Sequence, residues 1–277
     1  MFIKYERFIA STLKENLYII EGIDIDKLNK TVSFNNEHEN NVDTSILINP
    51  TYSKIDEYDV ISIFKRKKSH QFALDGNPLI YALKGIKNWK FKNNKQDITN
   101  LLKQFIRICE KIQPSYNTII TVPSSNELNT NFLYRLNKII KAENTITDYF
   151  HKLTAEEVYE DYIDWKQLYI DYSNNKENVE KDINMWFEDM VEYNNGWFSF
   201  KYIKDIKLRK YITKTMYSKD DTYIEYKDII NDKDILILDD TIGSGTTVSE
   251  TCKQIIEVFS PKSITIITLF SKLDDKL

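Results

Sequence analysis

The sequence predicts an α/β protein: a twisted parallel sheet, with a mixed α+β N-terminal part and a helical insertion. Three observations lead there. The short runs "TIIT", "ILIL" and "ITIITLF" are apolar and rich in β-branched residues, as strands buried on both faces are. Apolar residues at helical spacing separate them, in the strand–helix–strand order that builds parallel sheets. The strand "ILIL" then runs into "DDTIGSGTT", which holds two of the six glycines of the chain; in an open α/β sheet, ligands bind at the carboxyl ends of strands.

Bulk properties narrow the function. At 277 residues, 42% hydrophobic and 29% charged, the chain has an ordinary globular composition and the length for one large domain or a little more. The net charge of −4 provides no overall basic field for nucleic acid, and no nucleic-acid patch stands out. Cys109 and Cys252 each sit in an apolar helical pattern, which suggests reduced, buried thiols and a cytoplasmic setting. No CxxC or Cys/His cluster points to zinc. His38, His70 and His151 are scattered and read as surface or loop residues. The N-terminus is too charged for a signal peptide, and no apolar run approaches the roughly 18 residues of a membrane span.

Taken in order, "ERFIASTLKENLYII" reads as a helix running into a strand. "TVSF" and "SILI" read as short strands either side of the polar run "NNEHENNVD". Asp59–Lys67 reads as a strand, followed by a turn at Gly76-Asn77-Pro78. Ile98, Leu101, Leu102, Phe105, Ile106, Cys109 and Ile112 recur at helical spacing, so a helix is expected over about 97–113, stopped by Pro114. Residues 117–122 form a buried strand ending at Pro123, and "FLYRLNKIIKA" a helix. The segment at about 150–195 is a helical excursion. It opens with a capping box, Thr154 as N-cap and Glu157 three residues on, with Leu153 stapled onto Val158. Val158, Tyr162, Trp165 and Tyr169 line one face of it, and Val179, Ile183, Trp186, Phe187 and Met190 line a face of a second helix. "RKYITKTMY" and "YIEYKDII" read as strands. Val248, Cys252, Ile255, Ile256 and Phe259 mark the helix after the glycine loop, and "SITIITLF" is the last strand. The division expected is a mixed N-terminal hood or accessory region at 1–95 and a core at 96–277 carrying the insertion.

Charge in the glycine loop is the informative conflict. Thr241–Thr247 leads straight into a helix, whose free N–H groups and dipole favour a phosphate. Gly243 and Gly245 allow close backbone approach, and Ser244, Thr246 and Thr247 add hydroxyl donors. Asp239 and Asp240 cannot serve that phosphate. They need donors such as ribose hydroxyls, or a metal ion. A ribose 5-phosphate satisfies both halves. A P-loop would need GK[ST], and a dinucleotide loop a third glycine; neither is present.

Ile235–Thr247 resembles the signature of the type I phosphoribosyltransferases: four apolar residues, two acids, two loose positions, then a Thr/Ser/Gly-rich loop closed by Thr. The resemblance implies that fold and a phosphoribosyl pyrophosphate (PRPP) ligand, with Asp239 and Asp240 on the ribose hydroxyls and Thr241, Ile242, Gly243, Ser244, Gly245, Thr246 and Thr247 on the 5-phosphate. Gly243 departs from the Thr, Ser or Asp usual at its position, which weakens a 6-oxopurine salvage reading. The order of elements is also similar to that of ComF-like competence proteins, over about 115–270. "LIYALKG", "TIITVPSS" and "RKYITKTMY" carry that likeness, while the zinc module common in those proteins is missing.

By this resemblance Pro123, Ser124, Ser125 and Asn126 form the pyrophosphate loop, or else an ordinary strand-to-helix turn. Arg209 and Lys210, or Lys214, meet the pyrophosphate charge, or stand as surface cations, and Lys84 carries the same two readings. The reaction implied is displacement of pyrophosphate from C1 of PRPP by a nitrogen acceptor. Mg²⁺ accompanies PRPP, and Asp239 or Asp240 assists the metal or the developing positive charge. The alternative is a non-catalytic PRPP- or nucleotide-sensing module of a competence, stress or phage-defence system. The 150–195 helices are further read as a surface for a homodimer or protein partner.

Overall fold

The computed structural model describes residues 22–35, 42–66, 77–112, 115–124, 127–218, 223–243 and 245–271. The helix expected within residues 6–20, the histidines His38 and His70, and Gly76 lie outside them. Residues up to Thr147 together with Glu225 onward form one compact unit, and Asp148–Ile224 form a second.

In the first unit, β1 (Gly22–Asp26) and β2 (Thr31–Asn35) make an antiparallel hairpin. Its turn is held by the Asp26 carboxylate, which accepts from the backbone N–H and the side chain of Asn29. Next come β3 (Val42–Asp43), β4 (Thr51–Ile55) and β5 (Tyr58–Arg66). The alternating burial of β4 is that of a strand with one solvated face. The short strand expected at "SILI" is instead a turn. Ser45 N–H donates to Asp43 Oδ1, and Asn49 Nδ2 donates to the carbonyls of Asp43 and Ser45, so local side-chain bonds replace a ladder there. Leu47 and Ile48 are left exposed.

Helix α1 (Asn77–Lys84) starts where only a turn was read; Pro78 sits in its first turn, which needs no N–H from it. Strand β6 (Lys90–Phe91) adds to β2 in parallel, completing a three-stranded sheet β1-β2-β6. Helix α2 (Asn94–Cys109) joins this sheet: the buried Asp97 carboxylate accepts from the backbone N–H of Phe34 and of Asn93. Strand β7 (Thr118–Thr121), helix α3 (Leu128–Ile140) and strand β8 (Asn144–Ile146) follow. Residues 1–95 thus contribute both the small sheet and strands of the large one.

The second unit begins with β9 (Phe150–Lys152), so His151 belongs to a strand, its ring 5.4 Å from that of Tyr217, rather than to a loop. Helices α4 (Ala155–Asp161), α5 (Trp165–Asp171) and α6 (Lys176–Tyr193) come next. The capping box of α4 is present, with Glu157 N–H donating to Thr154 Oγ1 and Thr154 N–H to the Glu157 carboxylate. Leu153 and Val158 are buried in one cluster with Val179, Ile183, Trp186 and Met190. The run "RKYITKTMY" is not one strand. Its start lies in a 3-10 turn, Ile206–Tyr211, capped by Asp205; Ile212 then makes an isolated antiparallel bridge with Ile163, and β10 (Met216–Ser218) pairs with β9.

The chain returns to the first unit within "YIEYKDII", which is helix α7 (Tyr223–Ile230), not a strand. Tyr226 and Ile230, four apart, are buried together while Ile224 is exposed, which is a helical rather than an alternating pattern. Then come β11 (Asp234–Ile242), α8 (Thr246–Val258) and β12 (Ser263–Ser271). The large sheet has the order β3-β5-β12-β11-β7-β8, with β4 also on β5; β5, β12, β11, β7 and β8 are mutually parallel. Cys109 and Cys252 are buried free thiols; burial pushes Cys252 up to about 12 and Cys109 well above its ordinary value. Among the described residues no helix is long and apolar enough to cross a membrane.

Candidate functional site

The strand order creates the site. Strand β7 is followed by β8 on one side, whereas β11 lies on the other, so the order reverses between β7 and β11. There the two ladders part. The β11–β7 pairing stops at Leu238 and Thr121, with one more bond from Val122 N–H to the Leu238 carbonyl. The β11–β12 pairing continues through Asp239, Thr241 and Ile242. The strand therefore runs on through the acids, which stand in its carboxyl-terminal part. It holds them in regular extended backbone with their β7 side open. Ile235–Leu238, wholly buried, anchor it from below.

Adjacent positions on a strand face opposite ways, so Asp239 and Asp240 leave β11 on different faces. Asp240 is buried, at 4% exposure, and both of its oxygens hold donors. Lys84 Nζ, from the last turn of α1, donates to Oδ1 at 2.8 Å. Ser124 Oγ, just past β7, donates to Oδ2 at 3.4 Å, a long bond. Asp239 is half-buried. Thr241 Oγ1 is buried with no hydrogen-bond partner among the described residues. Such an orphan is costly unless a bound group meets it.

Past Ile242 the backbone turns into α8. Gly245 is its N-cap, at φ +85°, so among the described residues no side chain caps the first-turn N–H groups, and that turn carries no acidic residue of its own. A Cβ on Gly245 would lie 2.6 Å from Ile55 Cδ1, so the hairpin end of β4 presses on this turn. Ser249, one turn into α8, donates its hydroxyl to Asp56, at the tip of the β4–β5 hairpin. Gly243 faces open space and is exposed. The result is an uncapped helix start, with Thr246 and Thr247 in its first turn, beside a buried carboxylate.

Of the residues singled out by sequence, Asp239, Asp240, Thr241, Ile242, Gly243, Gly245, Thr246, Thr247, Lys84, Pro123 and Ser124 all belong to this unit. Lys84, Ser124 and Asp240 are in direct contact. Ser125, Asn126 and Ser244 lie outside the described residues. Arg209, Lys210 and Lys214 belong to the other unit and have partners within it. Arg209 donates to the Ile203 carbonyl, Lys210 pairs with Asp171 at 2.8 Å, and Lys214 lies over the Tyr162 ring. Sequence reasoning missed Ile55 and Asp56, which carry no motif. It also missed a cavity of about 400 Å³ beside Lys84, walled by Trp89, Phe91, Glu127 and Asn131.

Among the described residues no three metal-binding side chains gather at one point. With Asp239 and Asp240 on opposite faces, the pair does not chelate one ion unaided.

A strand-end acid pair at the switch point of a parallel sheet offers acceptors to hydroxyl groups, and the helix start that follows it is of the kind that suits an anion. In a comparison with protein families, the phosphoribosyl transferase domain matches residues 202–277. The likeness to type I phosphoribosyltransferases noted at Ile235–Thr247 is thereby shown for this C-terminal part of the chain. Comparisons with curated proteins and with solved structures each gave no match.

Proposed function

We propose that the chain binds PRPP at the end of β11 and transfers its phosphoribosyl group to a nitrogen acceptor, releasing pyrophosphate. The observation that carries this is the sequence of features along one segment: buried strand, two acids, orphan hydroxyl, uncapped helix start. The α8 N–H groups and Thr246 and Thr247 receive the 5-phosphate. Asp239 and Asp240 accept from the ribose hydroxyls. As the bond from C1 to pyrophosphate breaks, the ring gains oxocarbenium character, and the nearby carboxylate charge stabilises it. Lys84, displaced from Asp240 by the ribose, is a cation near the leaving group. The cavity beside it accommodates the acceptor. Mg²⁺ bound with PRPP would neutralise the leaving pyrophosphate, and Asp239 or Asp240 would assist in holding it.

One observation favours a second, non-catalytic reading. Both oxygens of Asp240 already hold protein donors, so ligand binding exchanges partners there, as in a sensor. Calorimetric titration with PRPP and Mg²⁺ tests the shared premise. Binding is expected for the parent chain and not for the D239N/D240N variant; equal binding by both removes the site. Pyrophosphate release across a panel of bases and amines then separates the readings, since a sensor binds PRPP and releases none.

A further inference from the structure

The second unit carries a cavity that the reading above does not use. It measures about 460 Å³ and is lined by Tyr159 and Glu160 of α4, Trp165 and Tyr169 of α5, and Glu180 and Asn184 of α6. Three of these six are aromatic, two are carboxylates, and none is a cation. The Trp165 ring centre lies 5.6 Å from that of Tyr159, at 78°, and 5.7 Å from that of Tyr169. Both phenols are fixed in place. Tyr159 donates to Asn184 Oδ1 at 2.8 Å. Tyr169 donates to the Glu180 carboxylate, a bond and charge that push its hydroxyl up to about 12.

These rings are not simply core. Trp186, in the same unit, is 3% exposed, whereas Tyr159, Trp165 and Tyr169 stay half-buried at the cavity. Their faces are electron-rich, and an indole is the best of such surfaces for a cation. The chain itself shows the attraction: the Lys176 ammonium stands 5.2 Å from the centre of the Tyr169 ring, a resident cation that a ligand seated on that ring displaces. Carboxylates at Glu160 and Glu180 add the charge that a cation, and not an anion or a neutral apolar group, would meet.

The geometry points to a binding site for a small free organic cation with a methylated ammonium head, held against Trp165, Tyr159 and Tyr169 and balanced by Glu160 and Glu180. This site does not depend on the PRPP reading, since it shares no residue with it.

The test uses the whole 277-residue chain and tryptophan fluorescence, with choline as the probe and 3,3-dimethylbutan-1-ol as its uncharged isostere. Choline is expected to produce a saturable change, and the isostere to bind at least about tenfold more weakly. W165L should abolish the choline response, while W165F keeps a ring and retains part of the binding measured by calorimetry. E160Q/E180Q, which leaves Tyr169 an acceptor, should weaken choline several-fold without altering the circular dichroism. Equal binding of the isostere would reduce the site to an apolar hollow and overturn the proposal. So would the absence of saturable binding by choline, or a response only to arginine- or lysine-containing peptides, which would make the surface a protein-docking site.

Discussion

Replacing Lys84 by methionine isolates the contact at the heart of the site. Methionine keeps the apolar stem and deletes the ammonium that meets Asp240 Oδ1 at 2.8 Å. The Asp240 side chain is 6% exposed, that of Lys84 17%. Once the ammonium is gone, Asp240 keeps, among the described residues, the long Ser124 bond. Removing one partner of a buried ion pair costs about 3–5 kcal/mol, because the other charge stays behind. Partial solvent access at Lys84 places this case at the lower end, near ~3 kcal/mol. That corresponds to a fall in Tm of about 6–12 °C for a chain of this size. D240N costs less, because Lys84 can turn towards solvent. The K84M/D240N double variant should recover about 2 kcal/mol of the summed losses, since two neutral groups face each other. Urea unfolding measures all four proteins. Trp89 is the one tryptophan of the first unit, the other three lying in Asp148–Ile224, so its emission in a variant lacking those three reports on the right unit. If the two single substitutions prove additive, the pair is not coupled, and its role in holding Asp240 is refuted.

Further outcomes follow from the same structure. G245A forces a Cβ into the left-handed region and against Ile55, at a combined cost of about 2–4 kcal/mol; I55A in addition should relieve the overlap but not the backbone strain, which urea midpoints would separate. Asp171 is held low, at about 2, by hydrogen bonds from Lys210, Tyr211 and Gln167. Because its folded value lies below the ordinary one, its contribution to stability is present above about pH 4 and is lost as pH falls through about 2; a carboxyl titration by NMR near 4 would contradict this. Cys109 and Cys252, buried and protonated, should resist a thiol reagent at pH 8 until the chain unfolds, when two equivalents react.

Strands β5, β7, β11 and β12 and helices α2, α3 and α8 were legible because buried β-branched runs and helical spacing are local signals; the three-residue β8 and the short helix α1 were not. The runs that misled, "SILI" and "YIEYKDII", are short and β-branched, and such runs do not distinguish strand from other states without their neighbours. In the first, Asp43 and Asn49 take the backbone into a turn; in the second, burial of Tyr226 and Ile230 on one side selects a helix. Likewise, the acids and the glycine loop are contiguous and could be read. Lys84 meets Asp240 across 156 positions of sequence, and nothing near Lys84 distinguishes it from the many other lysines of the chain.

That distance bears on what sets the geometry of the site. The helix start that would cradle a phosphate is positioned on one side by its own strand, β11, and on the other by the β4–β5 hairpin. Ile55 fills the space a Cβ at residue 245 would need, and Asp56, itself in a left-handed conformation at φ 52°, accepts from Ser249. Lys84, also from the first third of the chain, neutralises the buried acid. The C-terminal segment that matches the phosphoribosyl transferase domain therefore contains the groups proposed to face the ligand but not the contacts that hold them in register. A fragment containing only residues 202–277 would retain the motif yet lose the strand β7 that defines the crevice, the counter-charge on Asp240 and the wall at Gly245. It should bind no ribose phosphate, whereas the full chain should; binding by the fragment at parent strength would show that the motif alone organises the site.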